Sequence, residues 1–196
     1  FTREDCMKPA AYALIVAMTA TPALAHTGIN HLHGFLDGLV HPFLGADHLL
    51  AMLTVGLWSG FVMPKRVWAG AAAFLTAMVL GALASWAGLY IPGVEAMIVA
   101  SVVFLGLLTL VSRQGQVGLW SASSLAAIAV FAFAHGHAHA TEASGNKLIY
   151  LAGFLIATGA LHLGGIAIAK SVANRPVVRR ALGAGVTLSG LWLMAG

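Results

Sequence analysis

Apolar segments of the length that a bilayer requires recur along this chain with only short breaks between them. A transmembrane helix needs about 20 consecutive apolar residues. Six segments meet that requirement, at 41–63, 67–90, 94–112, 117–139, 147–170 and 177–196. The breaks contain proline, glycine and asparagine, which commonly end helices. The pattern predicts an all-α fold, a polytopic membrane protein built as a bundle of six transmembrane helices.

The composition agrees with a membrane protein and excludes several other classes. Hydrophobic residues make up 60% of the chain, charged residues 8%, and the mean hydropathy is +0.91, which is too apolar for a soluble domain. The lipid bilayer is therefore the expected partner. Lysine and arginine lie in short breaks and form no basic stripe with aromatics, so no nucleic acid is expected. No glycine-rich phosphate loop is present, so we expect no nucleotide and no organic cofactor.

The N-terminal region has the layout of a secretory signal peptide. Met7 and Lys8 precede a short apolar stretch, and residues 22–25 (PALA) form a small-x-small cleavage site. The residues before Met7 are interpreted as an upstream remnant. We predict that residues 1–25 comprise this remnant and a cleavable signal peptide, and that residues 26–196 form the transmembrane domain. An uncleaved signal anchor is the alternative.

Basic residues are concentrated in alternate breaks, and this asymmetry predicts the orientation of the chain. The first, third and fifth breaks hold or adjoin Lys65, Arg66, Arg113, Lys170, Arg175, Arg179 and Arg180. The second and fourth breaks hold only Lys147. By the positive-inside rule the odd breaks face the cytoplasm. The mature N-terminus and the C-terminus are then both periplasmic, and the predicted location is the bacterial inner (cytoplasmic) membrane.

Ionisable residues gather near the predicted periplasmic face. Such residues are costly inside a membrane and usually functional. The candidates on this side are His26, His31, His33, His41, Asp47, His48, Glu95, His135, His137, His139 and Glu142. Neutral imidazole and carboxylate suit Ni²⁺, Zn²⁺, Co²⁺ or Cu²⁺ better than Mg²⁺ or Ca²⁺. The three N-terminal histidines are alternatively a solvated tail.

Helical spacing refines the ligand set in the first segment. His41 and His48 are predicted to lie on nearly one face of a continuous helix, two turns apart. Pro42 is expected at the start of that helix, where its missing N–H costs nothing. Asp47 is expected about 9 Å inside the segment, directed toward a neighbouring helix.

A second set follows the fourth segment. His135 and His139 are i, i+4 neighbours, and Glu142 continues their face if the helix persists that far. His137 points the other way and alternatively faces water. The ninth histidine, His162, is expected about 22 Å along the fifth segment, in the cytoplasmic half. We interpret it as an inner relay site for an ion, with a hydrogen-bonded packing residue as the alternative.

Two runs of sequence resemble the HupE/UreJ family of nickel permeases. The run at 41–58, HPFLGADHLLAMLTVGLW, closely resembles the family signature. The run at 135–142, HGHAHATE, is similar to the family's second histidine-rich motif, with Ala140 where that motif continues with glycine. Glu95 and the stretch at 150–162 are also similar, so the resemblance covers nearly all of the chain from His26 onward.

The resemblance implies ATP-independent, secondary uptake of Ni²⁺ that serves hydrogenase or urease maturation, with Co²⁺ a substrate of some members. It also implies a cleaved signal and six spans. The functional residues that it implies are His41, Asp47 and His48 from the first motif, and His135, His137, His139 and Glu142 from the second.

We therefore expect a permease that is not an enzyme and that takes up a divalent transition metal, nickel first, with cobalt, copper or zinc as other candidates. One alternative is a periplasm-facing metal receptor or sensor that does not transport. The other is an intramembrane metalloenzyme, because His135 and His139 have the spacing of a zinc protease helix. Gly136 stands where that helix would carry its glutamate base. The sequence leaves the oligomeric state open, a homo-oligomer included.

Overall fold

The structure is a computed structural model that describes residues 34–143 and 145–196. These residues form seven helices and no strand, so the predicted all-α fold is confirmed for this part of the chain. The helices are α1 (Gly34–Leu44), α2 (Ala46–Val62), α3 (Ala69–Trp86), α4 (Val94–Val111), α5 (Leu119–Glu142), α6 (Lys147–Ser171) and α7 (Pro176–Ala195). The predicted signal peptide and the candidates His26, His31 and His33 lie outside the described residues.

Four of these helices, α3 to α6, are long and apolar enough to cross a membrane. The pair α1 and α2 would together make a fifth span, although the two helices meet at 83°. Helix α7 has 20 residues but is not among the candidate spans, because Arg179 and Arg180 near its start lower its mean hydropathy. The described residues thus hold four candidate spans, or five with the bent pair.

The prediction of one continuous helix in the first segment, at 41–63, is wrong, because the chain forms two helices there. The chain becomes helical at Gly34, and His41 and Pro42 lie in the last turn of α1 rather than at a helix start. Gly45 then adopts an extended backbone conformation, with φ −106° and ψ 127°. Proline cannot donate to the carbonyl four residues earlier, and glycine is a poor helix former, so the helix ends here. His41 and His48 therefore share no helix face, and Asp47 lies in the first turn of α2.

The other helices begin and end within four residues of the predicted segments. They pack closely because glycine lets their backbones approach. A Cβ at Gly136 of α5 would fall on the Met78 carbonyl of α3, and a Cβ at Gly56 of α2 would fall on the His162 carbonyl of α6. Small residues are the usual means of such contact between membrane helices. Helices α1 and α2 both pack on α6, and α3 packs on α5, which brings the histidines of four helices into one core.

Candidate metal centre

Three histidines from three helices converge at one end of the bundle. His41 comes from the last turn of α1, His48 from the first turn of α2, and His139 from the last turns of α5. The ring of His139 lies 4.6 Å from that of His41 and 4.4 Å from that of His48, centroid to centroid. One ring nitrogen of each histidine lies within 4.8 Å of the others. Three neutral imidazoles at this separation can hold one transition-metal ion.

The bend between α1 and α2 is what brings His41 and His48 together. In a continuous helix the seven-position spacing from His41 to His48 would separate the two side chains by about 10 Å along the axis. The 83° turn at Gly45 instead brings the two rings to 5.8 Å between centroids. The bend at Gly45, which the sequence did not predict, is therefore what brings the histidines of this group together.

Two carboxylates fix the orientation of these rings. His139 Nδ1 donates to Glu142 Oε2 at 2.9 Å, and His41 Nε2 lies 3.2 Å from the same oxygen. His48 Nδ1 lies 2.6 Å from Asp47 Oδ1, which also accepts the His48 backbone N–H at 2.8 Å. An ionised carboxylate only accepts, so Nδ1 of His48 and of His139 carries the proton and Nε2 keeps its lone pair. In His41 the order is reversed, because its Nε2 faces Glu142 and its Nδ1 keeps the lone pair. This is the carboxylate–histidine arrangement found behind metal ligands.

The Nε2 atoms of His48 and His139 are left for a ligand. Both atoms are buried, and neither has a hydrogen-bond partner among the described residues. Buried polar atoms are normally paired, so the two unpaired lone pairs fit a bound cation. His48 and His139 are 8% and 4% exposed. The side chains of His41 and Glu142 are 20% and 35% exposed, so the group is open to solvent on one edge.

His135 lies next to the group, one turn deeper on α5. Its ring is 5.5 Å from His48 and 6.4 Å from His139 between centroids. Its Nδ1 bonds to the Phe131 carbonyl at 2.9 Å, and its buried Nε2 has no hydrogen-bond partner in the described chain. The shared face of His135, His139 and Glu142 is therefore present, because α5 persists to Glu142.

The remaining predicted residues lie elsewhere. His137 points away from the group, as predicted, but it is buried rather than facing water, and its Nε2 bonds to the Leu89 carbonyl at 2.7 Å. Glu95 is exposed at the start of α4 and lines a cavity with Leu193 and Met194 of α7. His162 is buried deeper, between α2 and α6.

Sequence reasoning missed the apolar wall of the group. Tyr150 and Phe154 of α6 lie beside His41, with ring centroids 6.1 and 5.9 Å away, and Phe154 lies 4.7 Å from His139. Aromatic residues one turn apart look like ordinary core residues in a sequence. Only the packing of α1 on α6 reveals that they enclose the imidazoles.

Comparisons with known proteins give one consistent result. The chain matches the family model described as "HupE / UreJ protein" over residues 14–193. It is 36% identical over 193 residues to "Protein HupE" of Rhizobium leguminosarum bv. viciae, an alignment that covers 97% of this chain and 100% of that relative. No solved structure matches the chain.

Proposed function

Because the chain belongs to the HupE/UreJ family of permease-type membrane proteins related to nickel transport, we propose that it is a secondary permease. Its substrate is a divalent transition-metal ion, with Ni²⁺ as the leading candidate, and the ion is carried from the periplasm to the cytoplasm. The observation that carries the proposal is the group of His41, His48 and His139, with three ligand atoms within 4.8 Å of one another.

The group has the chemistry of a reversible capture site. The exposed edge formed by His41 and Glu142 receives the ion. The Nε2 atoms of His48 and His139 then bind it, while Asp47 and Glu142 hold the rings in place and offset the positive charge. A mixed site of this kind releases its ion more readily than a closed tetrahedral cage.

The nitrogen ligands bear on which metal is bound. Nitrogen ligands bind Co²⁺ less tightly than Ni²⁺, and Ni²⁺ less tightly than Cu²⁺. Three imidazoles therefore favour nickel over cobalt but do not by themselves reject copper or zinc. The family supplies the preference for nickel. The roles of Glu95, His137, His26, His31 and His33 in metal binding stay predictions.

We further propose that the bent pair α1–α2 and the helix α7 complete six spans in the inner membrane, within a domain at 26–196 that follows removal of 1–25. The basic residues beside the odd connections support periplasmic termini. The metal group then lies on the periplasmic side. A membrane potential negative inside draws a cation inward by roughly 2.3 kcal/mol per charge per 100 mV.

A metal receptor that does not transport is the second candidate. One observation favours it: the core beneath the group is filled by Phe74 and Met78, both 0% exposed. Passage through the bundle therefore requires side chains to move.

Uptake of radioactive Ni²⁺ into sealed proteoliposomes that hold the full chain tests the proposal. We expect time-dependent accumulation that falls at least about tenfold when His48→Ala removes one of three ligands. The matched control is Thr54→Val on the same helix, which removes only a hydroxyl bonded to the Leu50 carbonyl and should transport like the unmodified protein. Competition with Co²⁺, Cu²⁺ and Zn²⁺ identifies the metal. Binding without accumulation would favour the receptor.

A further inference from the structure

His162 lies well below the capture site. It is on α6, eight residues beyond Phe154, whose ring contacts His139. At 1.5 Å per residue this places His162 about 12 Å deeper along the helix. The residue is only 1% exposed, and its carbonyl lies against Gly56 of α2.

The imidazole of His162 is chemically unsatisfied. Both ring nitrogens are buried, and no described residue hydrogen-bonds to either. The ring meets that of Phe74 at 5.1 Å and 78°, an arrangement in which the aromatic face can receive one N–H. The lone pair on the other nitrogen still has no donor. A side chain kept only for packing would normally have its polar atoms paired, which points to a ligand role.

A line of imidazoles leads from the capture site to His162. The ring of His48 contacts that of His135 at 5.5 Å, and the Phe74 ring also lies 5.5 Å from that of His135. The Phe74 ring therefore contacts both His135 and His162. The Nε2 atom of His135 is buried and has no partner among the residues described.

Two further polar atoms lie beside this line. Thr158, one turn before His162 on α6, donates its hydroxyl to the Met52 sulfur at 3.3 Å. Met52 itself lies one turn after His48 on α2. Both residues are fully or almost fully buried, so they provide a hydroxyl and a thioether at a depth between the capture site and His162.

We propose that His162 is the main protein ligand of a second, inner metal site, at which the transported ion pauses after leaving the capture site. The inference rests on the proposed function, since the ion reaches His162 from His48 by way of His135. The Phe74 ring separates the two sites, and its rotation connects them. The hydroxyl oxygen of Thr158 and the sulfur of Met52 are weaker metal ligands, and they lie about one helical turn closer to the capture site. A site with one strong ligand binds the ion weakly, and a transported ion must be able to leave each site that it enters.

The first test detects metal at residue 162 without measuring transport. His162→Cys is made in a Cys6→Ser background, so that the chain holds a single thiol, and the purified full chain is titrated with Co²⁺. We expect an intense near-ultraviolet band from thiolate-to-cobalt charge transfer. The Cys6→Ser protein gives no such band. A folded His162→Cys protein without the band at saturating Co²⁺ overturns the inner site.

The second test uses His162→Phe, which keeps a ring of similar size and removes both nitrogens. We expect Ni²⁺ uptake into proteoliposomes to fall at least tenfold, while Ni²⁺ still binds the capture site. The control is Ile166→Leu, a repacking change one turn further along α6. Unchanged uptake in His162→Phe overturns the proposal. If the unmodified protein accumulates no Ni²⁺ but His162→Cys gives the cobalt band, the result supports the inner metal site and rejects the proposal that the protein transports the ion.

Discussion

At the scale of single residues, two carboxylates decide which ring nitrogen of His48 and of His139 is available to an ion in the proposed site. Asp47 and Glu142 bond to Nδ1 of His48 and His139, so the Nε2 atoms keep their lone pairs for a ligand. The sequence identified these four residues as candidate ligands. It did not reveal that the carboxylates support the imidazoles, because ring orientation depends on contacts that spacing does not encode.

Glu142→Gln tests this division of roles. The amide keeps the size of the side chain but loses the charge that both His41 and His139 contact. We expect the Ni²⁺ affinity of the purified protein to fall about 10- to 100-fold, the usual effect of removing the partner of a metal-binding histidine. Equilibrium binding of Ni²⁺ in detergent measures it, with thermal unfolding as the check on folding. An affinity within twofold of the original would contradict the supporting role.

At the scale of helices, most boundaries could be predicted, because long apolar segments and helix-ending residues mark them directly. The exception is the first segment. The segment is apolar on both sides of Gly45 apart from a few ionisable residues, so its mean hydropathy treats 41–63 as one helix. The break depends on Pro42 and Gly45, each of which a membrane helix tolerates in other contexts. The placement of Glu95 beside α7 was equally unpredictable, since it depends on which helices are neighbours.

Gly45→Ala tests the importance of the break. The backbone at Gly45 suits any residue, but a Cβ there would lie 2.7 Å from both Asp47 Oδ1 and His48 Nδ1. We expect the displaced pair to weaken Ni²⁺ binding about tenfold, with little loss of folding stability. Titration of the purified protein with Ni²⁺ checks this.

The matched control for that substitution is Gly159→Ala. A Cβ at Gly159 would meet nothing within 4 Å, and alanine in a helix interior is favoured over glycine by roughly 1 kcal/mol. Its Ni²⁺ affinity should be unchanged. Equal affinities in the two variants would show that the position of the Asp47–His48 pair is unimportant.

At the scale of the whole molecule, the proposed orientation places the metal group on the periplasmic side. His137 of α5 bonds to Leu89 in the connection between α3 and α4, so that connection lies at the same end of the bundle as His139. The connection between α4 and α5 lies at the opposite end, because α5 runs between the two. The two connections should therefore face different compartments.

Single cysteines in a Cys6→Ser background test this orientation. Tyr90 and Val117 lie in these two connections and are each 81% exposed. We expect Tyr90→Cys to react with a membrane-impermeant maleimide in intact cells whose outer membrane has been opened. Val117→Cys should react only after the inner membrane is permeabilised. The reverse pattern would invert the topology and turn the proposed uptake into export.

The interruption at Gly45 has one more consequence, which concerns backbone oxygen. The last carbonyl groups of a helix have no amide partner within that helix, and α1 ends at Leu44, three residues after His41. In lipid such groups must be satisfied by protein, water or an ion. Interrupted helices in transporters use free carbonyls in this way to coordinate cations. In the proposed permease, the carbonyl groups at the end of α1, in the same turn as His41, would give an arriving ion oxygen atoms with which to exchange its hydration shell stepwise before it reaches nitrogen.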